Sequence, residues 1–427
     1  MGKKVKLVYV SVEDGKTEQS NKFYDMEEND DGTYTATWGR YGAPNPSTQT
    51  KSMNEWQKTY NSKVKKGYRD HTELFIVEDS KGGTTKKATT VKDFIKTRTQ
   101  SVINLVKRLQ SWAKGSIAEN YTVSSESVTQ KQIDKAQVML NELTALDVKK
   151  DFVPFNKLLL EFFTVVPRKM KNVKDHIISA DKLGDDGKKM SNNDQKNKII
   201  TDEQGTLDVM AGQVLLNSNV HEQETDEPEV ETDIIKASGL ELKDVTDAVV
   251  IKQIKELMAD DKGKFKEAFE VVNNQTATAH TKHLDKAKNK KMELFWHGSR
   301  NENWWSIMTT GLLIRPSNAV HSGSMFGDGI YFADKFRKSF GYTSGRGSYF
   351  ANGSSNEAIL AIYDVHVGEQ KHIKHHDSSC YSLSAKVLAK DGFDSVFAHG
   401  GADLRNNEYI VYQSPQSTIK YLVVVNA

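Results

Sequence analysis

The hydrophobic rhythm of this chain changes twice, and that change limits the fold more than any other feature. Before about residue 80, short runs alternate apolar and polar residues (Lys6–Val12, Lys22–Met26, Thr33–Trp38) ahead of a helix-like stretch, Met53–Lys66. Period-two alternation marks strands with one buried face, so this region predicts a small antiparallel sheet with one helix. From about 90 to 220 the rhythm is helical. Ile133, Ala136, Leu140 and Leu143 recur at three- and four-residue steps, and Leu158, Leu159 and Phe162 repeat the pattern within Phe155–Phe163. Pro154 and Pro167 bracket that second helix. From 235 to 427 the chain starts helical and turns strand-rich, at Leu294–His297, Gly329–Ala333, Ala358–Val367, Asn407–Tyr412 and Tyr421–Val425. The breaks are polar: a Gly/Ser/Thr/Lys stretch at 81–90 and an acidic one with Pro228 at 221–234. A further polar tract, Leu183–Asn197, reads as a loop. The expected architecture is multidomain α+β in three units, 1–80, 91–220 and 235–427, which agrees with the domain count a 427-residue chain implies.

Cys380 is the only cysteine, which rules out an intrachain disulfide and any cysteine-rich zinc finger and fits a reducing, intracellular setting. No apolar run reaches membrane-span length, and the N-terminal run Leu7–Val10 is too short for a signal peptide. The net charge of +2 hides segregation. Trp38–Asp70 holds seven basic residues against Glu55 and Asp70, whereas His221–Asp233 holds seven acidic residues and no Lys or Arg. The first window suits a polyanion and the second an exposed linker. His372, His375, His376 and Cys380 lie close in sequence, but their spacing matches no familiar zinc module, and a solvated loop with no metal is expected. Trp304 and Trp305 are expected to pack in a pocket wall or helix.

Three motifs in the last unit place polar residues within apolar, strand-like runs: WHGSR at Trp296–Arg300, GIYFAD at Gly329–Asp334 and NNEYIVY at Asn406–Tyr412. A carboxylate such as Glu408 at the start of an apolar strand either has a partner or lines a pocket. Together the motifs resemble the poly(ADP-ribose) polymerase catalytic domain, from about Asp244 to the C-terminus. The resemblance implies an ADP-ribosyltransferase split-β fold that takes NAD+ as its substrate in a cleft between two small sheets. It implies that Glu408 is the catalytic glutamate, stabilising positive charge on the ribose as nicotinamide leaves and accepting a proton from the nucleophile. It further implies that His297 bonds the adenine-side ribose, that Gly298 and Ser339 clamp the nicotinamide amide, and that Tyr331 and Tyr342 sandwich its ring. Lys338 and Ser299 match a lysine and a serine of the same segments, and Phe332 joins the residues of the NAD+ site. The set His297, Tyr331 and Glu408 favours chain elongation. Leu313 and Ser324 stand where related enzymes often carry an arginine and a tyrosine, with Arg315 close by. Asn406 replaces an aromatic residue on the acceptor side, where Met325 is retained.

The middle unit resembles the all-α helical regulatory domain of the DNA-dependent members, which implies an autoinhibitory bundle. Gly212 in its last helix costs up to about 1 kcal/mol relative to Ala, which would ease local opening. TWGRYG at Thr37–Gly42 resembles the WGR domain. That resemblance implies DNA binding through Trp38 on the terminal nucleotide and Lys22 near phosphate, with Arg40 linking the DNA reader to the bundle. The implied activity is poly(ADP-ribosyl) transfer switched on by DNA nicks or ends, 5′-phosphorylated, onto protein acceptors including the enzyme itself. The implied site is the nucleus in a eukaryote. The alternatives are a mono-ADP-ribosyltransferase and a catalytically silent DNA-end-binding scaffold.

Overall fold

The structure is a computed structural model that describes residues 2–12, 19–75, 94–120, 128–184, 187–221, 233–314, 325–351 and 353–427. It divides into two compact units. The first contains the N-terminal sheet and the helices up to Val214, and the second contains residues 94–114 and the C-terminal region. The 81–90 stretch and most of the acidic run lie outside the described residues.

In the first unit, β1 (Lys4–Val12), β2 (Gln19–Glu28), β3 (Thr33–Arg40), β4 (Ser47–Ser52) and β5 (Arg69–Asp70) form one antiparallel sheet in the order β4-β3-β2-β1-β5. The alternation read from the sequence puts Leu7, Tyr24, Met26, Tyr34 and Ala36 on one face, where they pack with Trp56 and with Val5, which precedes the run. Trp56 opens the helix Trp56–Lys65, meets the Tyr34 ring edge-on at 5.1 Å, and the Tyr34 hydroxyl donates to Thr59 at 2.9 Å. β4 and β5 were not expected. Their residues are polar and exposed, so they carry no alternation and pair only through the backbone.

The helices of this unit include Gln130–Ala145, Val153–Val165 and, up to Val214, the helix Asn192–His221. Ile133, Ala136, Leu140, Leu143, Phe155, Leu159 and Phe162 are buried as their spacing predicts, and Pro154 sits in the first turn, where its missing N–H costs nothing. The polar tract at 183–197 is only partly a loop. Ser191 accepts from the Asp194 N–H at 3.1 Å and starts a helix one residue later, a capping signal that outweighs the absence of apolar periodicity. Lys196 then donates to the carbonyls of Thr144 and Leu146 at 2.7 and 2.6 Å, satisfying the end of a neighbouring helix.

The second unit holds two sheets. β6 (Leu240–Asp244), β7 (Phe265–Asn273), β8 (Met292–Gly298), β10 (Glu357–His366) and β14 (Ser417–Asn426) form an antiparallel sheet in the order β6-β7-β14-β10-β8. β9 (Ile330–Phe332), β11 (Gln370–Ile373), β12 (Ser395–Ala398) and β13 (Glu408–Val411) form the other, ordered β11-β12-β13-β9. The sheets meet where Trp296 and Ala333 exchange backbone hydrogen bonds of 2.8 and 3.0 Å. Val102, Leu105, Val106 and Leu109 of the helix Gln100–Asn120 join Phe269, Val271 and Leu422 in one core. That shared core groups 94–114 with the C-terminal unit. Asp233, the last acid of the acidic run, is not a linker residue. It is fully buried, and Arg98 grips it through Nε at 2.8 Å and a second nitrogen at 3.1 Å.

Candidate active site and nucleic-acid surface

The period of two sorts the motif residues. In the four-stranded sheet Tyr331 lies opposite Ile410, so Tyr331, Glu408 and Ile410 share one face. Phe332 and Tyr409 fall on the other and enter the central core, where Phe332 packs against Tyr363 at 5.5 Å. Phe332 therefore does not offer its ring to the face of Glu408. It stands edge-on to His297 at 5.8 Å and backs that imidazole instead.

Glu408 is the centre of a small polar network. The Lys338 ammonium donates to Glu408 Oε1 at 2.6 Å and to the Asn407 carbonyl at 2.9 Å, and both side chains are nearly buried. Burial pulls the Lys338 pKa below its ordinary value, and the Glu408 carboxylate works against that pull. Glu408 Oε2 is buried with no partner among the described residues. A buried carboxylate oxygen without a donor is costly, and a substrate hydroxyl would satisfy it. Asn407 donates to Asp334 at 2.7 Å and accepts from the Gly400 N–H at 2.9 Å, which anchors the start of β13. The roles of Asn407 and Asp334 were missed, although both stand inside the quoted motifs.

His297 is the penultimate residue of β8, opposite Ala361. Its Nδ1–H donates to the Tyr331 carbonyl at 3.1 Å. Burial pushes its pKa down to about 4, with that hydrogen bond working the other way. The neutral ring, held edge-on by Trp304 and Tyr363, thus keeps Nε2 as an acceptor. Trp304 and Trp305 are core residues, as packing predicts. The Tyr331 hydroxyl donates to the Gly327 carbonyl at 2.7 Å and accepts from the Phe326 N–H at 3.0 Å, which locks the ring. Gly298 and Ser339 are in close contact: a Cβ on Gly298 would lie 1.9 Å from the Ser339 carbonyl oxygen. Ser299 accepts from Asn303 at 3.0 Å. Tyr342 follows the short helix Phe336–Phe340 and is partly exposed. Lys335 donates to Asn406 at 3.4 Å, and His376 donates to the Met325 carbonyl at 2.8 Å, at the two residues the resemblance places on the acceptor side. Leu313 is exposed, and Arg315 and Ser324 lie outside the described residues.

The histidine cluster does not converge. His372 bonds His399 at 2.8 Å, His376 bonds Met325, and Cys380 is buried among Phe326, Leu383 and Leu388. Among the described residues no group of three or more His, Cys, Asp or Glu could hold a metal ion. Nor is any helix among them long and apolar enough to cross a membrane.

In the first unit, Lys22 is exposed and lies opposite Arg40 across β2 and β3, one step from the Tyr24–Trp38 pair. Trp38 stacks on Tyr24 at 5.7 Å. Lys63 sits over the Tyr24 ring at 3.8 Å, and its pKa is lowered by burial and then by Lys66, Lys51 and Lys22. Three lysines thus bring their positive charge to bear on Lys63, the electrostatic footprint of a polyanion site. Arg40 is engaged within the unit. Its guanidinium donates to the carbonyls of Met170 and Lys171 at 3.3 and 2.8 Å, in the stretch between two helices of the unit.

Residues 248–427 match the poly(ADP-ribose) polymerase catalytic domain, and residues 8–74 match the WGR domain. The chain is 36% identical over 145 residues to the poly(ADP-ribose) polymerase-like protein 100L of Invertebrate iridescent virus 6, covering 33% of this chain and 75% of that protein. The chain belongs to the poly(ADP-ribose) polymerase family. It is 32% identical over 157 residues to poly(ADP-ribose) polymerase 2 of Homo sapiens, covering 31% of this chain and 26% of that one. With poly(ADP-ribose) polymerase 2 of Arabidopsis thaliana it shares 31% identity over 162 residues, covering 33% of this chain and 24% of the relative. These matches thus span about a quarter of the two longer relatives. This member of the poly(ADP-ribose) polymerase family is an NAD+ ADP-ribosyltransferase whose substrate is NAD+, and it carries a WGR domain of DNA-binding type.

Proposed function

We propose that the chain is a poly(ADP-ribosyl)transferase activated by DNA strand breaks. The observation that carries the chemistry is Glu408, one oxygen held by Lys338 and the other buried without a partner among the described residues. In this reading Oε2 accepts the 2′-hydroxyl of the nicotinamide ribose. Lys338 keeps the carboxylate in place as positive charge grows on the ribose and nicotinamide departs. The same carboxylate then draws the proton from the attacking hydroxyl or side chain. His297 Nε2 accepts from the adenine-side ribose, Gly298 and Ser339 hold the carboxamide, and Tyr331 and Tyr342 flank the nicotinamide ring. Acceptors are protein side chains, the enzyme's own included, and then the growing polymer.

The regulatory half rests on the lysine cluster around Trp38 and on the Arg40 carbonyl contacts. Lys22 and Trp38 engage a nick or end with a 5′-phosphate, and Arg40 passes the event to the helices of the first unit. Those helices act as an autoinhibitory domain that loosens on binding. The chain acts inside the cell, in the nucleus of a eukaryote, in the response to DNA damage. NAD+ turnover measured with and without nicked, 5′-phosphorylated DNA tests this. A rate indifferent to DNA removes the regulatory half, and full activity in Glu408→Gln removes the catalytic one.

One observation favours a second reading. Asn406, in place of an aromatic residue, is bonded to Lys335. Without a stacking surface for the acceptor chain, transfer stops at one unit. A product gel showing a single band rather than a ladder selects that outcome.

A further inference from the structure

Tyr342 has a ring partner that no motif pointed to. Phe350 stacks on it at 4.5 Å with 18° between the planes. The segment that brings Phe350 back is tightly closed. The Gly341 carbonyl accepts from the N–H groups of both Phe350 and Ala351, at 2.8 and 3.2 Å. The Arg346 backbone N–H donates to the Ser355 carbonyl at 2.7 Å, and the buried Ser348 hydroxyl accepts from the Gly353 N–H at 2.8 Å. A Cβ on Gly341 would lie 3.1 Å from both the Phe350 ring and the Lys338 carbonyl oxygen, so the glycine lets the ring sit close to the turn. Yet Phe350 is 57% exposed and Tyr342 is 37% exposed. The hydrophobic effect alone would bury so large a ring, so the backbone closure is what keeps it outside and against Tyr342.

A planar ring has two faces, and Phe350 covers one face of Tyr342. Burial, then the charge of Glu408, raises the pKa of the Tyr342 hydroxyl, so that ring lies within the field of the catalytic carboxylate. We infer that Phe350 is a positioning residue for the nicotinamide end of NAD+, stacking behind Tyr342 so that the tyrosine presents its other face, rotationally fixed, to the leaving group. The inference rests on the proposed reading of Tyr342 as a nicotinamide wall. A tyrosine packed on one side only by solvent would sample more rotamers and lose entropy when nicotinamide docks. With Phe350 behind it, that ordering is already done.

The test uses the full chain, with benzamide, which mimics nicotinamide, and ADP-ribose, which lacks the nicotinamide ring, as calorimetric probes, alongside steady-state NAD+ kinetics. Phe350→Leu is expected to weaken benzamide and raise the KM for NAD+ together, by about 2- to 12-fold, the range for one aromatic pair. kcat and ADP-ribose affinity should hold. Phe350→Tyr is expected to restore benzamide affinity, and Tyr349→Ser, altering the exposed neighbouring ring, to leave it unchanged. Thermal unfolding of each variant separates loss of the wall from loss of the fold. Because Phe350 is more than half exposed, Phe350→Ser provides a second readout independent of leucine packing. Unchanged benzamide affinity in both Phe350→Leu and Phe350→Ser overturns the inference. So does tighter binding, which would mean that Phe350 occupies the ligand's own seat. If Tyr342→Leu leaves benzamide affinity intact, it is the reading of Tyr342 that fails.

Discussion

Gly298→Ala is a one-carbon change whose consequence can be worked from the coordinates. The new Cβ would sit 1.9 Å from the Ser339 carbonyl oxygen and 2.7 Å from its carbon. Reaching even 3.0 Å, the shortest separation real Cβ atoms show, needs an opening of about 1.1 Å, the difference between 3.0 and 1.9. The obstacle is backbone, so no rotamer relieves it. Both sides are anchored: Gly298 pairs with Leu360 across β8 and β10, and the Ser339 carbonyl accepts from the Tyr342 N–H at 3.1 Å. The helix that must move also carries Lys338, which holds Glu408. Overpacking of this kind costs about 1–3 kcal/mol of stability, and a displacement of about 1 Å at a reacting centre costs on the order of 100-fold in rate. NAD+ turnover by purified Gly298→Ala should therefore fall about 100-fold in kcat/KM while thermal unfolding stays cooperative. A variant within threefold of wild type would refute the claim that the close contact of Gly298 and Ser339 shapes the site.

Three further outcomes are expected. Lys338→Met leaves the Glu408 carboxylate buried and unpaired, so the second unit should lose about 3–5 kcal/mol in chemical unfolding, much of it recovered in the Lys338→Met, Glu408→Gln double variant. His71 donates from Nε2 to Thr164 at 2.7 Å, its Nδ1 is buried without a partner among the described residues, and burial first, then Lys135, depress its pKa from 6.5 to about 4. The unfolded chain therefore binds the proton first: stability is full above pH 6.5 and falls toward pH 4, by on the order of 2 kcal/mol at pH 5. His71→Gln should lose that increment in unfolding at pH 8 and pH 5, and equal losses in both proteins would count against it. Lys22→Gln, with Lys63→Gln, should weaken DNA binding at every sequence and lower the salt slope by about one for each phosphate no longer neutralised, measured by titration at several salt concentrations.

Much of the fold was legible where residues carry periodicity. Leu7, Tyr24 and Met26 announced strands, and Ile133, Ala136, Leu140 and Leu143 announced a helix face. β4, β5 and β11 were silent because edge strands can pair through backbone groups that leave no side-chain pattern. β7 was masked by the helical look of its neighbours. The motifs located Tyr331, His297 and Glu408 because a polar residue inside an apolar run needs a reason to be there. They also grouped Phe332 with Tyr331, and only the strand pairing put the two rings on opposite faces.

What the sequence determined by itself, then, were the elements that carry a side-chain pattern and the motif residues of the site, because propensity, periodicity and spacing are local. Tertiary structure alone decided that Lys338 meets Glu408 across 70 residues, that one oxygen of that carboxylate has no partner among the described residues, that Asp233 is gripped by Arg98 rather than solvated, and that Phe350 returns to Tyr342. Each of these depends on which segments approach in space. That is set by burial summed over whole cores such as the one joining Leu105 to Phe269 and Leu422, a quantity no short window contains.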